Sequence, residues 1–482
     1  MTSNKPLFCV HGHFYQPPRE NPFTGKYRVE RSAAPYRNWN ERITEECYRP
    51  IAEMGGFERI SFNLGGTLAR WMAERAPSVY DQIVESARSH YHRWGSSNGI
   101  AQSVHHTILP LARARDKRCQ IRWGIASFLY RFGYRPEGIW LPEMAVDLET
   151  LDVVSESGLS FVILSDSQVK GDLDAGSGPY QVSLSGDRSI AVFVRDDALS
   201  NFLSFQMPSP EHAGDWINRA LRGKHSDELT LIATDGETFG HHQSQGVEVL
   251  KRLLNPQDRD AYDVTTLGRY LKTHPPTKEI EIIENSAWSC SHRLGRWLTG
   301  CACTPGCGHW KGALRRALDN LSRDIDEVYI DVVGRRNVAP WRLRDDYIRV
   351  VMKQVSPQEF LSQHRLTHLA CHTQEQILGL LKAQYHRQRM FVSCGFFFDD
   401  LDRIEPRYAI ANAVQAIALV YYATGEDLTQ AFRRDLSVTV SGRTARPGSE
   451  ILDEIMMEAD FGQGALGGDM ALQRPEISGA RL

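Results

Sequence analysis

GIWLPEMAVDLETLDVVSESGLSFVIL, residues 138–164, is the stretch that decides the fold. Gly138–Leu141 reads as a short strand, Leu148–Ser157 as a helix by its apolar spacing, and Phe161–Leu164 as a second strand. A strand, a crossover helix and a strand make a parallel pair, since only a long connection returns the chain to run in the same direction. The alternation continues on both sides of this stretch, from the first residues to about residue 285. Leu7–His11 is a strand, Tyr36–Met54 a helix, Arg59–Leu64 a strand, and a helix starts at Leu68. Gln120–Phe132 places Ile121, Ile125, Phe128, Leu129 and Phe132 at helical spacing. Glu228–Thr234 is a largely apolar strand, the pattern of one covered on both faces. The order predicts an α/β fold with a parallel sheet, open or closed into a barrel. One interruption is a hairpin, Tyr180–Leu184 with Ser189–Val194, turning on Ser185-Gly186-Asp187-Arg188.

After about residue 310 strand character fades. Trp310–Leu321, Trp341–Lys353, Thr373–Arg387 and Tyr408–Thr424 read as helices, which predicts a mainly helical second domain. From Phe461 the chain is rich in Gly, Gln and Ala without periodicity and reads as a mobile tail. A length of 482 residues calls for two domains or one enlarged barrel. Charged residues make up 24% of the chain and the net charge is −3, with both signs interspersed. Nucleic acid and anionic membranes reward a dense basic face, so neither is an expected partner. Met1-Thr2-Ser3-Asn4-Lys5-Pro6 runs directly into a short apolar stretch, and no apolar run reaches membrane-spanning length, so a cytoplasmic location is expected. Most of the nine cysteines are scattered singly, as expected of reduced thiols.

In parallel α/β folds, reactive groups gather where strands end in loops on the carboxyl side. Polar and aromatic residues collect at these positions here: His11 to Pro18, Asn63 to Thr67, Gln102 with His105 and His106, Trp140 to Glu143, Asp166, Arg195-Asp196-Asp197, and Thr234 to His242. Glu143 and Asp235 are isolated carboxylates on separate strands. Cleavage of a glycosidic bond needs two such groups, one to protonate the leaving oxygen and one to stabilise or attack an oxocarbenium-like carbon. Trp140 and Phe239 suit stacking against sugar faces. The plainer alternative is that Glu143 caps the next helix or pairs with an arginine. Asp196 and Asp197 touch sugar hydroxyls or merely end a strand, and Glu237 binds substrate or, the reading its position favours, braces its loop. His92, Trp94 and His309 read as solvated or packed.

The motifs resemble those of glycoside hydrolase family 57. Gly138-Ile139-Trp140-Leu141-Pro142-Glu143 resembles that family's nucleophile motif, and Thr234-Asp235-Gly236-Glu237-Thr238-Phe239-Gly240-His241-His242 its acid/base motif. His13-Phe14-Tyr15-Gln16-Pro17-Pro18 is similar to the first motif, with His11 or His13 in the histidine position. Trp288-Ser289-Cys290-Ser291-His292 and Arg296-Trp297 resemble the last, which lines the sugar site from the far side. Arg315 to Leu318 and Ser393 to Asp400 resemble a subgroup with a C-terminal extension of uncharacterised function. The resemblance implies an incomplete (β/α)7 catalytic barrel over residues 1–285. It further implies a helical domain over 286–435 that contributes to the active-site wall, and a short extension and tail over 436–482. It implies a retaining mechanism on α-linked oligo- or polysaccharides, with Glu143 as nucleophile, Asp235 as acid/base, and no metal or other cofactor. The substrate-binding residues it implies are His11, His13, Gln16, His106, Trp140, Asp197, Phe239, His241, Trp288, His292, Arg296 and Trp297. Hydrolysis, glucan transfer and branching differ only in which acceptor reaches the intermediate.

Three other readings start from the same residues. His11, His13, Asp235, His241 and His242 have the chemistry of a divalent-metal site, as in a metal-dependent polysaccharide deacetylase. Cys290, Cys301, Cys303 and Cys307 are a second metal candidate, although Cys301-Ala302-Cys303 is tighter than the usual zinc knuckle, and the plainer reading is four unlinked thiols with Cys290 and Cys303 as small apolar fillers near the substrate. A catalytically inactive glucan-binding protein is the third.

Overall fold

A computed structural model describes residues 5–466 apart from 175, 258–260 and 307. The expected mobile tail lies largely outside the described residues. The chain forms two compact units. One holds residues 1–18, 29–303 and 341–364, and the other holds residues 19–28, 304–340 and 365–482.

The strands of the first unit are β1 (Leu7–Phe14), β2 (Ser61–Leu64), β3 (Gly99–Gln102), β4 (Gly138–Trp140), β5 (Phe161–Ser165), β6 (Val169–Lys170), β7 (Tyr180–Ser183), β8 (Ser189–Arg195), β9 (Leu229–Asp235), β10 (Asp263–Val264) and β11 (Glu281–Ile282). Parallel pairing runs β9-β1-β2-β3-β4-β5-β8, a seven-stranded order. Between β8 and β9 the regular ladder gives way to single links: Asp196 N donates to Leu231 O at 2.9 Å, and Ser177 bonds both edges. This is an incomplete (β/α)7 barrel. The expected hairpin is present as the antiparallel pair β7–β8. β1 and β9 are buried along nearly their whole length, as strands covered on both faces must be, and this is why they read as apolar runs.

Local sequence fixes the ends of the crossover helices. Asp147 caps helix Leu148–Glu156 by accepting from Thr150 N at 2.8 Å, worth about 1 kcal/mol. Gly133, at φ +82°, ends helix Ala114–Phe132 in the left-handed conformation that a side chain would strain. The helix expected over Tyr36–Met54 is three pieces, Trp39–Ile43, a π-helical turn at Thr44–Tyr48, and Arg49–Glu53. Pro50 has no N–H to give to the carbonyl of Glu46, and the ladder widens there.

The segment expected as one helix over Trp341–Lys353 breaks into Pro340–Asp346 and Ile348–Val351. Trp123 Nε1 donates to Asp345 O at 2.7 Å, engaging the carbonyl a continuous helix would bond. Fully buried Arg344 bonds Asp116 at 2.7 Å. These contacts tie residues 341–364 to the barrel unit, whereas the sequence places them in the helical domain.

The second unit is built from helices Trp310–Gly334, Cys371–Arg389, Ile404–Thr424, Thr429–Leu436 and Gly448–Leu466. Ile404–Thr424 is its central helix, with Ala409, Ala413 and Ala416 fully covered. A buried ion pair, Arg387 to Asp326 at 2.7 Å, is completed by Gln384 Nε2 donating to the same carboxylate at 2.9 Å. Gly448–Leu466 places regular helix where an extension and tail are expected. No described helix is long and apolar enough to cross a membrane.

Candidate active site

β1 brings His11 and His13 to one face, two residues apart. His11 Nε2 and His13 Nδ1 lie 3.1 and 3.2 Å from Asn63 Oδ1, on the adjacent β2. Asn63 Nδ2 donates to Gln102 Oε1 on β3 at 2.6 Å. A column of rings stands on this frame. His13 stacks on Trp140 at 4.5 Å and on His106 at 5.3 Å, His11 stacks on Trp140 at 5.1 Å, and Tyr15 stacks on His106 at 3.7 Å. Burial pushes His11 and His13 down to about 3, so both imidazoles are neutral at neutral pH.

In the ring order, β4 lies four steps from β9 one way and three the other, so the two strands stand on opposite sides of the barrel. Glu143 follows β4 and Asp235 ends β9. Glu143 sits at φ +59°, ψ +20°, in a tight turn closed by Met144 N to Leu141 O at 2.7 Å. A left-handed conformation at a residue with a β-carbon costs about 1 kcal/mol, and such strain collects at functional positions. Trp288 holds the turn by donating its N–H to Glu143 O at 3.1 Å. Trp288 Nε1 and Ser289 Oγ then donate to Glu143 Oε2 at 3.1 and 2.7 Å. Burial raises the Glu143 carboxyl, while these two donors and the Arg296 charge oppose the rise. The Asp235 carboxyl accepts no hydrogen bond from the described residues. Burial, and then the charge of Glu143, push it up to about 7 against the influence of Arg195.

The turn after Asp235 is braced from the π-helical segment. Tyr48 Oη donates to Glu237 Oε1 at 2.5 Å, Cys47 Sγ to Gly236 O at 3.4 Å, and Glu46 Oε2 lies 2.5 Å from His241 Nδ1. Two glycines permit this approach. A β-carbon on Gly236 would meet the Phe14 ring at 2.3 Å, and one on Gly240 would meet Glu46 O at 2.1 Å. Glu237 is buried, and burial followed by the Asp235 charge lifts it to about 8. It braces the loop, as its position suggests.

The expected site residues divide into those that converge and those that do not. His11, His13, His106 and Trp140 form the ring column, and Trp288 and Arg296 act on Glu143. Gln16 is buried against the Tyr48–Glu237 pair. Trp140 and Phe239, the two rings expected to stack on sugars, are fully buried in packing, as is Trp297. Tyr15, in the ring column, and Trp288, beside Glu143, are half-buried. Asp196 caps helix Asp197–Gln206, and Asp197 is held by Arg195 Nε and Ser165 Oγ, each at 2.5 Å. His241 turns to Glu46, and exposed His292 lies beside Cys303. Trp288, Ser289 and Arg296 belong to the barrel unit, where the expected boundary put them in the helical domain. Ser289 and Asn63 act on the site without having been singled out as binding residues. Both lie within or beside recognisable motifs, whereas nothing in the sequence marks Tyr48.

Among the described residues, the histidines and Asp235 form no metal-holding group; the ring nitrogens of His11 and His13 face Ser61, Asn63 and His106. Cys290, His292, Cys301 and Cys303 do converge. Cys307 lies outside the described residues.

A parallel seven-stranded barrel with two acidic side chains at the ends of opposite strands defines the class. Residues 11–283 match the family described as glycosyl hydrolase family 57, and the chain belongs to that family. Residues 308–475 match a domain of unknown function, DUF3536. The chain is 23% identical over 207 residues to alpha-amylase 1 of Dictyoglomus thermophilum, covering 42% of this chain and 29% of that protein. It is 24% identical over 209 residues to a 4-alpha-glucanotransferase of Thermococcus litoralis, covering 42% and 30%. The matched stretch thus spans under a third of these relatives. A maltose-forming amylase of Pyrococcus sp. ST04 shares the fold, with a TM-score of 0.72 and 15% identity over 94% of this chain and 88% of that one.

Proposed function

We propose that the chain is a retaining glycoside hydrolase or transglycosylase acting on α-linked glucans. The observation that carries this reading is the unequal treatment of two carboxyls at the ends of opposite strands. Glu143 has two donors and a nearby guanidinium to favour its ionised form, whereas Asp235 has a proton held to about pH 7. Glu143 attacks the anomeric carbon while Asp235 passes its proton to the departing oxygen. The bond to Glu143 removes the negative charge that helped hold the proton on Asp235. The Asp235 carboxylate then takes a proton from water or from a sugar hydroxyl, and that acceptor displaces Glu143. Water gives hydrolysis, and a sugar hydroxyl gives transfer or a new branch. A reducing compartment such as the cytoplasm suits the free buried thiols of Cys9, Cys47 and Cys119.

The relatives described as an amylase and a glucanotransferase support the substrate class. The test is incubation with maltooligosaccharides, amylose and glycogen, resolving products by size and branching, alongside Glu143→Gln. The variant should lose about 10³-fold or more in turnover while still binding glucan. Unchanged turnover in Glu143→Gln, or no change in any of the three glucans with the parent protein, overturns the proposal.

A further inference from the structure

The loop that carries Trp288 and Ser289 to Glu143 continues directly into a cluster of soft donors. Cys290 and His292 come from its start, and Cys301 and Cys303 from its return after the short helix Gly295–Leu298. Cys290 Sγ lies 3.6 Å from Cys301 Sγ, and His292 Nδ1 lies 3.2 Å from Cys303 Sγ. All four donor atoms fall within 4.8 Å of one another. We propose that Cys290, His292, Cys301 and Cys303 bind a structural zinc ion that clasps this loop.

The geometry separates a metal clasp from a disulfide. Sulfurs bonded to each other lie about 2.05 Å apart. Two thiolates on one tetrahedral zinc, each about 2.3 Å from the metal, lie about 3.8 Å apart, and a thiolate and an imidazole nitrogen slightly less. The observed 3.6 and 3.2 Å are close to tetrahedral edges. Closing the widest pair from 4.8 Å asks for a shift of about an ångström, within the reach of side-chain rotation. Three thiolates and an imidazole are a borderline-soft set that suits zinc over calcium or magnesium, which want oxygen. Four protein ligands leave no open position, which makes the role structural. The backbone around the cluster is already shaped to close. Arg296 donates to Cys303 O at 3.0 Å, Ala287 bridges to Cys290, and Gly295 lets Cys301 pack against the helix start.

The ligand set differs from the four cysteines picked out in the sequence by the presence of His292. A Cys-x-His pair and a Cys-x-Cys pair grip the ion from two strands of one loop. Zinc binding stands whether or not the protein cleaves glycosides, and only its influence on Glu143 rests on that reading.

The test uses the full chain without an affinity tag, purified under reducing conditions and supplied with zinc. Elemental analysis should find one zinc per chain, and the Cys301→Ser/Cys303→Ser variant should hold at least about tenfold less. A Cys371→Ser variant, altered at an exposed thiol elsewhere, should keep it. Cobalt in place of zinc should give the intense sulfur-to-cobalt absorption and visible bands of a tetrahedral thiolate site, a readout that needs no variant. Arg293 is exposed within the loop, so stripping the metal should speed tryptic cleavage there by about tenfold. Absence of stoichiometric zinc after resupply, zinc retained by the double variant, or a Cys290–Cys301 disulfide in protein kept reduced would overturn the proposal.

Discussion

Asp235→Asn tests the electrostatics of the site through stability as well as activity. Asp235 is lifted from an ordinary 3.8 to about 7, a shift of about three units. At 1.36 kcal/mol per unit this corresponds to about 4 kcal/mol, and solvent reaching the partly open end of β9 reduces it to roughly 2–4 kcal/mol. A carboxyl raised in the folded state contributes stability that is fully present below its unfolded pKa. That stability is lost as pH rises through the folded value. Wild-type stability should therefore decline between about pH 4 and pH 7. Asparagine has nearly the same volume and does not titrate, so the variant lacks this decline. Its advantage should be small at pH 4.5 and reach roughly 2–4 kcal/mol at pH 8.

The assay is urea unfolding of both proteins at pH 4.5, 6 and 8, followed by a probe in the barrel unit because two units need not unfold together. On activity, substrates with a poor leaving group should slow by about 10²–10⁴-fold, while one whose leaving group needs no proton should form the glycosyl-enzyme at near wild-type rate. A stability difference that stays constant from pH 4.5 to pH 8 would show that Asp235 titrates normally, and the proton-donor assignment would lose its basis.

Ser289→Ala removes a donor that favours ionised Glu143, so the acid limb of kcat/KM against pH should move up by about one unit; an unmoved limb would separate this bond from the nucleophile. Arg344→Met strands the Asp116 carboxylate in the barrel unit and should cost about 3–5 kcal/mol by thermal or denaturant unfolding. Adding Asp116→Leu should recover most of that loss.

The barrel is legible in the sequence because central strands covered on both faces begin as apolar runs, Leu7–Val10 in β1 and Leu229–Ala233, broken only by Thr230, in β9. The polar residues where that pattern stops mark the site. Partners are harder to read. Trp140, Phe239 and Trp297 are the residue types that stack on sugars, yet residue type does not say whether a ring face is free, and neighbours cover all three. The break at Thr44–Tyr48 depends on one proline and on docking against a distant turn. His292 joins Cys290, Cys301 and Cys303 through loop geometry that the spacing of cysteines does not contain.

The barrel and the loop make separable contributions to the proposed chemistry. Strand order fixes where Glu143 and Asp235 stand, and it would do so for any two carboxyls at those positions. Burial alone would raise both and leave them alike. Each carboxyl also has an arginine charge opposing the rise, Arg296 for Glu143 and Arg195 for Asp235, but the hydrogen bonds are one-sided: Trp288 and Ser289 donate to the Glu143 carboxyl, and no described residue donates to that of Asp235. All three groups acting on Glu143 come from residues 288–296, on either side of the first two cysteine-cluster ligands. Loosening that loop should therefore bring the two pKa values together before it alters the separation of the carboxyls. A metal-stripped protein would then show a narrowed pH profile with the barrel intact, whereas a change in barrel stability would place the cluster's effect elsewhere.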